Sequence, residues 1–447
     1  MVIDKKENGE MLLFNSVSTS FGIVKPEFIE FYNNFDSIDD ESIEELSEEN
    51  GEFVKTLIDN KFLVDYDIDE KKSLKISEYI FRYATKKTDV VLTIAPTSDC
   101  NMRCPYCYEK KGAKRMDEET RKELVKFVDN MTENATGLRV AWYGGEPLLE
   151  LDTIRELSKE FLDISTKKNL AYRASIITNG ILMTREVAQI LVSECNVQSA
   201  QITLDGIGEI HNKRRLLIDA TKDSFEIITN NIDQIIGLMG VNLRINIDRE
   251  NSQYIDDILK FIIDKNWASQ KGISFYFAPV HNLEEAVHYG RQKCYNWKEF
   301  GELESYVLRK MNEYNVYDAL RTFYPSTMPL SCGALTPMYF VIGPEGEFYK
   351  CWNYVGNKSH TIGSLKEGIK ANEEFTTWLL LDTPEQCSNC KSLPLCKGGC
   401  PQERLTNGNT PACSHRKVSN MQKFKLIYDN YKKGIKPMER SNESCAV

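Results

Sequence analysis

The chain has 447 residues, 41% hydrophobic and 27% charged, with 66 Asp+Glu against 56 Lys+Arg and a net charge of −10. That balance excludes a disordered chain and argues against a nucleic-acid-coating protein, and no apolar run approaches the roughly 18 residues of a membrane helix. The length predicts two to four structural units, and MVIDKKENGE lacks an apolar signal region, so the expectation is a cytoplasmic enzyme with no nucleic-acid or membrane partner.

Residues 1–80 carry 20 Asp/Glu against eight Lys, so the acidity belongs to an N-terminal unit with a near-neutral body behind it. In that unit, Met11–Ser16 reads as a short apolar strand with a turn, and Pro26 starts a helix through Phe28, Ile29 and Tyr32. Phe53, Val54, Leu57 and Ile58 make a second helical face, and Lys61–Val64 a closing strand. Leu74, Ile76, Tyr79 and Phe81 mark an amphipathic linker helix. Next comes the strand Val90–Ala95, stopped by Pro96, and a helix capped by Asp117 with Leu124, Phe127, Val128 and Met131 on one face. Strands at Leu138–Tyr143, Ala174–Thr178, Ala200–Leu204, Asn242–Ile247 and Ile273–Ala278 follow. The helices between them begin near Asp152, end near Glu194, and run over Phe225–Ile236 and Ile255–Ile263. Six strands alternating with helices predict an α/β fold, a partial (β/α)6 TIM-type barrel with its site at the C-terminal strand ends. There fall Cys100–Cys107, Gly144–Pro147, Thr178–Gly180 and Asp205–Gly206.

Thirteen cysteines in a reducing compartment read as metal sites rather than disulfides. Cys100, Cys104 and Cys107 form C-x3-C-x2-C, and Cys332, Cys351, Cys387, Cys390, Cys396, Cys400 and Cys413 form a second group. Cys195, Cys294 and Cys445 stand apart. All-thiolate ligation selects zinc or iron–sulfur clusters. With no His beside the first triplet, iron with an open coordination position is favoured over structural zinc.

With these motifs the chain resembles the radical S-adenosylmethionine (SAM) enzymes over roughly residues 88–290. The likeness rests on the Cys100–Cys104–Cys107 spacing with Tyr106 before the last Cys, on Gly144-Gly145-Glu146-Pro147, on Thr178-Asn179-Gly180 and on Leu204-Asp205-Gly206. It implies that the three Cys hold a 4Fe–4S cluster whose open iron is chelated by SAM. It also implies that the Gly144–Pro147 backbone meets the SAM amino group, that Tyr106 and Tyr108 flank the adenine, and that Thr203 lies near the ribose. Thr178, Asn179 and Asp205 complete the expected SAM site. Arg215, last in His211-Asn212-Lys213-Arg214-Arg215, is the expected partner of the SAM carboxylate. No general base is assigned.

The second cysteine group resembles the SPASM extension of these enzymes, over residues 332–413. This implies two auxiliary 4Fe–4S clusters, three clusters in all. Cluster I takes Cys332, Cys351 and Cys400, with an open iron or a ligand such as Cys294; cluster II takes Cys387, Cys390, Cys396 and Cys413. Trp352 is expected in the core. The N-terminal unit is similar to the winged-helix-like leader-binding domains of peptide maturases, which add a peptide as an edge strand. The expected division is 1–85 leader recognition, 86–300 radical SAM barrel and 301–447 SPASM domain. The implied activity is a peptide maturase that installs a Cys thioether crosslink, with carbon–carbon crosslinking or anaerobic sulfatase maturation as alternatives. Its partners would be a precursor peptide with leader and a low-potential flavodoxin- or ferredoxin-type donor.

Overall fold

The computed structural model describes the chain except residues 1, 7, 35–39, 66, 84–87, 111, 282–288, 317–323 and 435–447. The junction near residue 85 and Cys445 thus lie outside the described residues. The chain forms two compact units: residues 85–322 with 333–381, and residues 1–84 with 323–332 and 382–447. The segment read as a C-terminal extension therefore contributes to both units.

The chain begins with three antiparallel strands, β1 (Val2–Lys5), β2 (Met11–Phe14) and β3 (Phe21–Val24), with β2 in the middle. Only the middle strand was legible as one, because Met-Leu-Leu-Phe is buried on both faces whereas its flanks are short and mixed. Met11 and Leu13 pack with Val24 against Phe28, Ile29, Tyr32, Phe53 and Phe62. The helices α1 (Ile29–Asn34), α2 (Asp40–Asp59) and α3 (Glu70–Tyr83) follow. The strand expected at Lys61–Val64 is not formed. Lys61 adopts φ +61° and ends α2, and the Phe62 and Leu63 N–H groups turn back to the Leu57 carbonyl, so this stretch caps a helix.

The other unit is built on six parallel strands in chain order: β4 (Val90–Ile94), β5 (Gly137–Trp142), β6 (Ala171–Thr178), β7 (Val197–Thr203), β8 (Gly240–Ile247) and β9 (Ile273–Pro279). The helices are α4 (Glu118–Met131), α5 (Leu151–Lys168), α6 (Arg185–Ser193), α7 (Glu209–Arg214), α8 (Ser224–Ile235), α9 (Ile255–Asp264) and α10 (Trp297–Glu313). Asp117 caps α4 by accepting from the Thr120 N–H at 2.8 Å. The expected α/β barrel architecture is present. The sheet continues further than expected: β10 (Tyr339–Ile342) lies parallel beside β4, and β11 (Phe348–Tyr349) antiparallel beside β10, giving eight strands. The helix α11 (Glu373–Leu379) closes this unit's share of the chain.

The remaining helices, α12 (Leu393–Cys396), α13 (Pro401–Thr406) and α14 (Arg416–Lys432), belong with the N-terminal strands. Leu12 and Phe14, on the second face of β2, share a core with Leu395, Phe424 and Tyr428. Among the described residues no helix is long and apolar enough to cross a membrane.

Candidate functional site

The loops at the C-terminal ends of β4–β8 are tied to one another by side chains. Cys100 is buried in the loop after β4, and Cys104 and Cys107 are half-buried there, with the Cys107 N–H bonded to the Cys104 carbonyl at 3.2 Å. The loop after β5 clamps this one. Gly145 N–H donates to Thr97 O at 3.2 Å and Glu146 N–H to Asp99 O at 2.8 Å. Gly144 has φ +121°, and a Cβ on it would lie 2.5 Å from Thr97 O; one on Gly145 would lie 2.8 Å from Ser98 O and overlap the Asp99 carbonyl. Two glycines stand here because the backbones touch.

Glu146 is fully buried and its carboxylate is engaged. It accepts from Thr178 Oγ1 at 2.7 Å, from Asn179 N–H at 2.8 Å and from Leu148 N–H at 3.0 Å. Burial raises its pKa while these donors oppose the shift. Glu146 thus locks the end of β5 to that of β6 and caps the turn opened by Pro147. Asn179 spans from β6 to the cysteine loop, donating to Asn101 Oδ1 at 2.7 Å and approaching Cys100 Sγ at 3.9 Å. The Met102 N–H points at the same sulfur from 3.4 Å.

Beyond β7 lies a polar cluster. Tyr106 donates its hydroxyl to the buried Asp205, and accepts from Arg215 Nη1 at 3.2 Å and Asn246 Nδ2 at 3.4 Å. Burial, then the Asp205 charge, pushes the Tyr106 hydroxyl well above its ordinary pKa, so it stays protonated. Thr203 ends β7, buried and in register with Arg244. Tyr108 meets Tyr143 hydroxyl to hydroxyl at 2.8 Å, and Tyr143 stacks on Trp352 with ring centroids 5.9 Å apart. Trp352 is 40% exposed, so its expected place in the core is corrected: one face covers Tyr143 and the rest is open to solvent.

Sequence reading missed several members of this cluster. Arg214 forks onto Asp248, at 3.1 and 2.7 Å, bonds the Tyr289 hydroxyl at 3.2 Å and lies over the Tyr106 ring. Asn251 holds the carbonyls of Asp205 and Asn246 at 2.9 and 2.8 Å. A polar Asp-Arg-Glu-Asn run directly after β8 was the available signal. His211 is fully buried and accepts from the Asp205 N–H through Nδ1 at 3.2 Å. Burial, then Arg215 and Arg214, lower its pKa well below the ordinary value, leaving a neutral ring protonated at Nε2.

The donor set fits the expected cluster and its ligand: three thiolates on one loop, backbone and amide N–H groups aimed at sulfur, and a guanidinium, Arg215, whose buried Nε has no hydrogen-bond partner. In the other unit, Lys397, Gly398 and Gly399 all have positive φ and turn the chain between Cys396 and Cys400. The Ala412 N–H binds Gly398 O at 3.0 Å, which seats Cys413 beside that turn. Burial raises the Cys387 thiol, and Cys396, Cys390 and Cys413 raise it further, as four neighbouring sulfurs must. Cys332 and Cys400 belong to this unit and Cys351 to the barrel unit. None of the twelve described cysteines is in a disulfide. Among the described residues no three His, Cys, Asp or Glu side chains have closed on a common metal-ion position. The loops gather the thiols; metal–sulfur bonds are what draw such ligands together.

Residues 94–262 match the radical SAM superfamily. A cysteine-type anaerobic sulfatase-maturating enzyme of Clostridium novyi is 29% identical over 343 residues, 70% of this chain and 87% of its own. The structure of native anSMEcpe with bound AdoMet and Cp18Cys peptide superimposes with a TM-score of 0.59 at 21% identity, covering 78% of this chain and all of that one. Streptococcus suis SuiB bound to its precursor peptide SuiA superimposes at 0.51 and 14% identity, covering 94% of this chain and 98% of that one.

Proposed function

We propose that this chain, an enzyme of the radical SAM superfamily homologous to peptide-modifying enzymes and sulfatase maturases, crosslinks a ribosomally made precursor peptide, joining a Cys sulfur to a carbon of another residue. A 4Fe–4S cluster with SAM supplies one-electron reductive cleavage of SAM and the 5′-deoxyadenosyl radical for hydrogen abstraction. The chain supplies position and exclusion of water. Cys100, Cys104 and Cys107 would hold the cluster. Gly144–Pro147 would offer the SAM amino group backbone carbonyls, and Arg215 would take the carboxylate. Tyr106, Tyr108, Thr178, Asn179, Thr203 and Asp205 would line the rest of the pocket. Cys387, Cys390, Cys396 and Cys413 would hold a further cluster.

The observation that carries the peptide reading is the N-terminal sheet. Both faces of β2 are covered, and among the described residues β1 and β3 each pair on one side only, so the sheet offers edges rather than a face. An extended leader adds to such an edge through its backbone. The larger share of this chain covered by SuiB than by anSMEcpe agrees with a unit that a sulfatase maturase lacks. Formylglycine formation is the second reading, favoured by the 29% identity to the Clostridium novyi maturase.

The test offers reduced, iron-loaded enzyme and SAM two peptides: a Cys-containing precursor with its leader, and a Cys-containing sulfatase segment. Crosslinking yields 5′-deoxyadenosine and a product lighter by two hydrogens from the first peptide, and leaderless precursor reacts poorly. Turnover of the sulfatase segment alone would replace this reading with the second. Carbon–carbon bonds in the product would retain the peptide but not the thioether.

A further inference from the structure

Arg404 is fully buried at the centre of its unit. Its guanidinium donates to the Asn409 side-chain oxygen from Nε at 3.1 Å and from Nη2 at 3.0 Å, to the Asp382 carbonyl, and to the Lys397 carbonyl at 3.5 Å. All of these acceptors are neutral. Beside it, Glu78 pairs with Arg82 and lies 3.7 Å from Lys397 Nζ, with both cations about 5% exposed. Glu78 is thus shared by two buried cations, and the other carboxylates lining its pocket, Asp382 and Glu385, are exposed to solvent. A buried charge without a counter-charge is strongly destabilising, so a fold retains it where an opposite charge is close. The opposite charge here is sulfur. Arg404 lies on α13, and its Nη1 reaches back to the turn that follows Cys396, 3.5 Å from the Lys397 carbonyl and 3.6 Å from where a Cβ on Gly398 would stand; Cys387, Glu78 and Cys400 favour its charged form.

We propose that Arg404 is the internal counter-charge of the Cys387–Cys390–Cys396–Cys413 site and raises the reduction potential of an iron–sulfur cluster held there, tuning that cluster to accept electrons. This rests on the reading above that these four cysteines hold a 4Fe–4S cluster. One-electron reduction makes such a tetrathiolate cluster more negative, so a fixed cation in a dry site stabilises the reduced form more than the oxidised one. Asn409 is part of the device. An Asp in its place would form a forked ion pair with the guanidinium and cancel the charge that the sulfurs now feel. Arg404 is a positioning and tuning residue that touches neither substrate nor SAM.

The experiment is a redox titration, followed by electron paramagnetic resonance, of the full-length iron-loaded protein in a background with Cys100, Cys104, Cys107, Cys332 and Cys351 all changed to Ala, which removes the signals of the other two expected clusters. The variants are Arg404→Gln, Arg404→Lys and Asn409→Asp. Gln and Asp should each lower the midpoint by at least about 59 mV, tenfold in a one-electron equilibrium. Lys should stay near the parent. Asn409→Asp keeps the guanidinium in place and decides the matter if Arg404→Gln fails to fold. A parent-like midpoint in Asn409→Asp overturns the inference. A parent without iron at these four cysteines would instead overturn the cluster assignment, and the inference with it.

Discussion

Arg215 and Tyr106 share a single hydrogen bond, Nη1 to hydroxyl at 3.2 Å, and this leaves the Nε of the same buried guanidinium without a partner. The neighbouring Arg214 likewise leaves a buried Nε without a partner, but both of its Nη groups are held, by Asp248 and Tyr289. The two arginines are nevertheless not equivalent: Arg214 is forked onto the carboxylate of Asp248, whereas the Arg215 bond goes to a hydroxyl, so Arg215 is the one assigned to an incoming carboxylate. Arg215→Lys should weaken SAM binding by about 1.5–3 kcal/mol, roughly tenfold to a hundredfold, since an ammonium cannot reproduce the fork. Equilibrium dialysis with SAM at constant iron content checks this; unchanged affinity would assign the carboxylate elsewhere.

Gly145→Ala should damage the cysteine loop specifically. The new methyl would overlap the Asp99 carbonyl and lie 2.8 Å from Ser98 O, both backbone atoms that no rotamer change can clear. Overpacking of this kind costs about 1–3 kcal/mol. The expected result is a lower melting temperature and loss of iron from the site proposed at Cys100–Cys107, with iron at the site proposed for Cys387–Cys413 retained. Gly51→Ala, at an ordinary backbone angle and with nothing within 4 Å of the new Cβ, is the control for an added methyl without a clash.

Glu10 gives the pH dependence a direction. Hydrogen bonds from Lys432, then Tyr428 and Asn8, hold its carboxyl at about 2 against an ordinary 4.5. A depressed carboxylate contributes stability that is complete above the unfolded value and is lost as pH falls toward the folded one. Glu10→Gln should therefore be less stable than wild type at pH 6, and the gap should close between pH 4.5 and 2. Parallel melting curves of the two proteins measure it; a gap independent of pH would remove Glu10 from the account.

The parallel strands were legible because each is a short apolar run closed by a polar or glycine-rich loop, and chemistry at strand ends is a topological rule that needs no contacts. Glu146 shows where such reading stops. Its motif marks the loop, but only the structure shows both oxygens spent on Thr178, Asn179 and Leu148. The edge strands β1 and β3 were missed because four mixed residues carry little periodicity, and Lys61–Val64 misled because a helix cap with Phe62 turned inward has the composition of a strand. Arg404 and Asn409 were invisible, since an arginine in a short helix among cysteines reads as solvated until its burial is known.

The sharing of one core by Leu12, Phe14, Phe424 and Tyr428 bears on synthesis. Asn8 and Tyr428 are hydrogen-bonded across 420 positions of sequence. At roughly 5–20 residues per second, the first strands wait on the order of 20–80 s before α14 leaves the ribosome. Throughout that interval the Leu12 and Phe14 face of the nascent sheet is bare while the whole barrel is being made. A bare apolar face of this kind is what holding factors bind, and a synonymous change that slows translation of the codons leading up to α14 prolongs the exposure of Leu12 and Phe14.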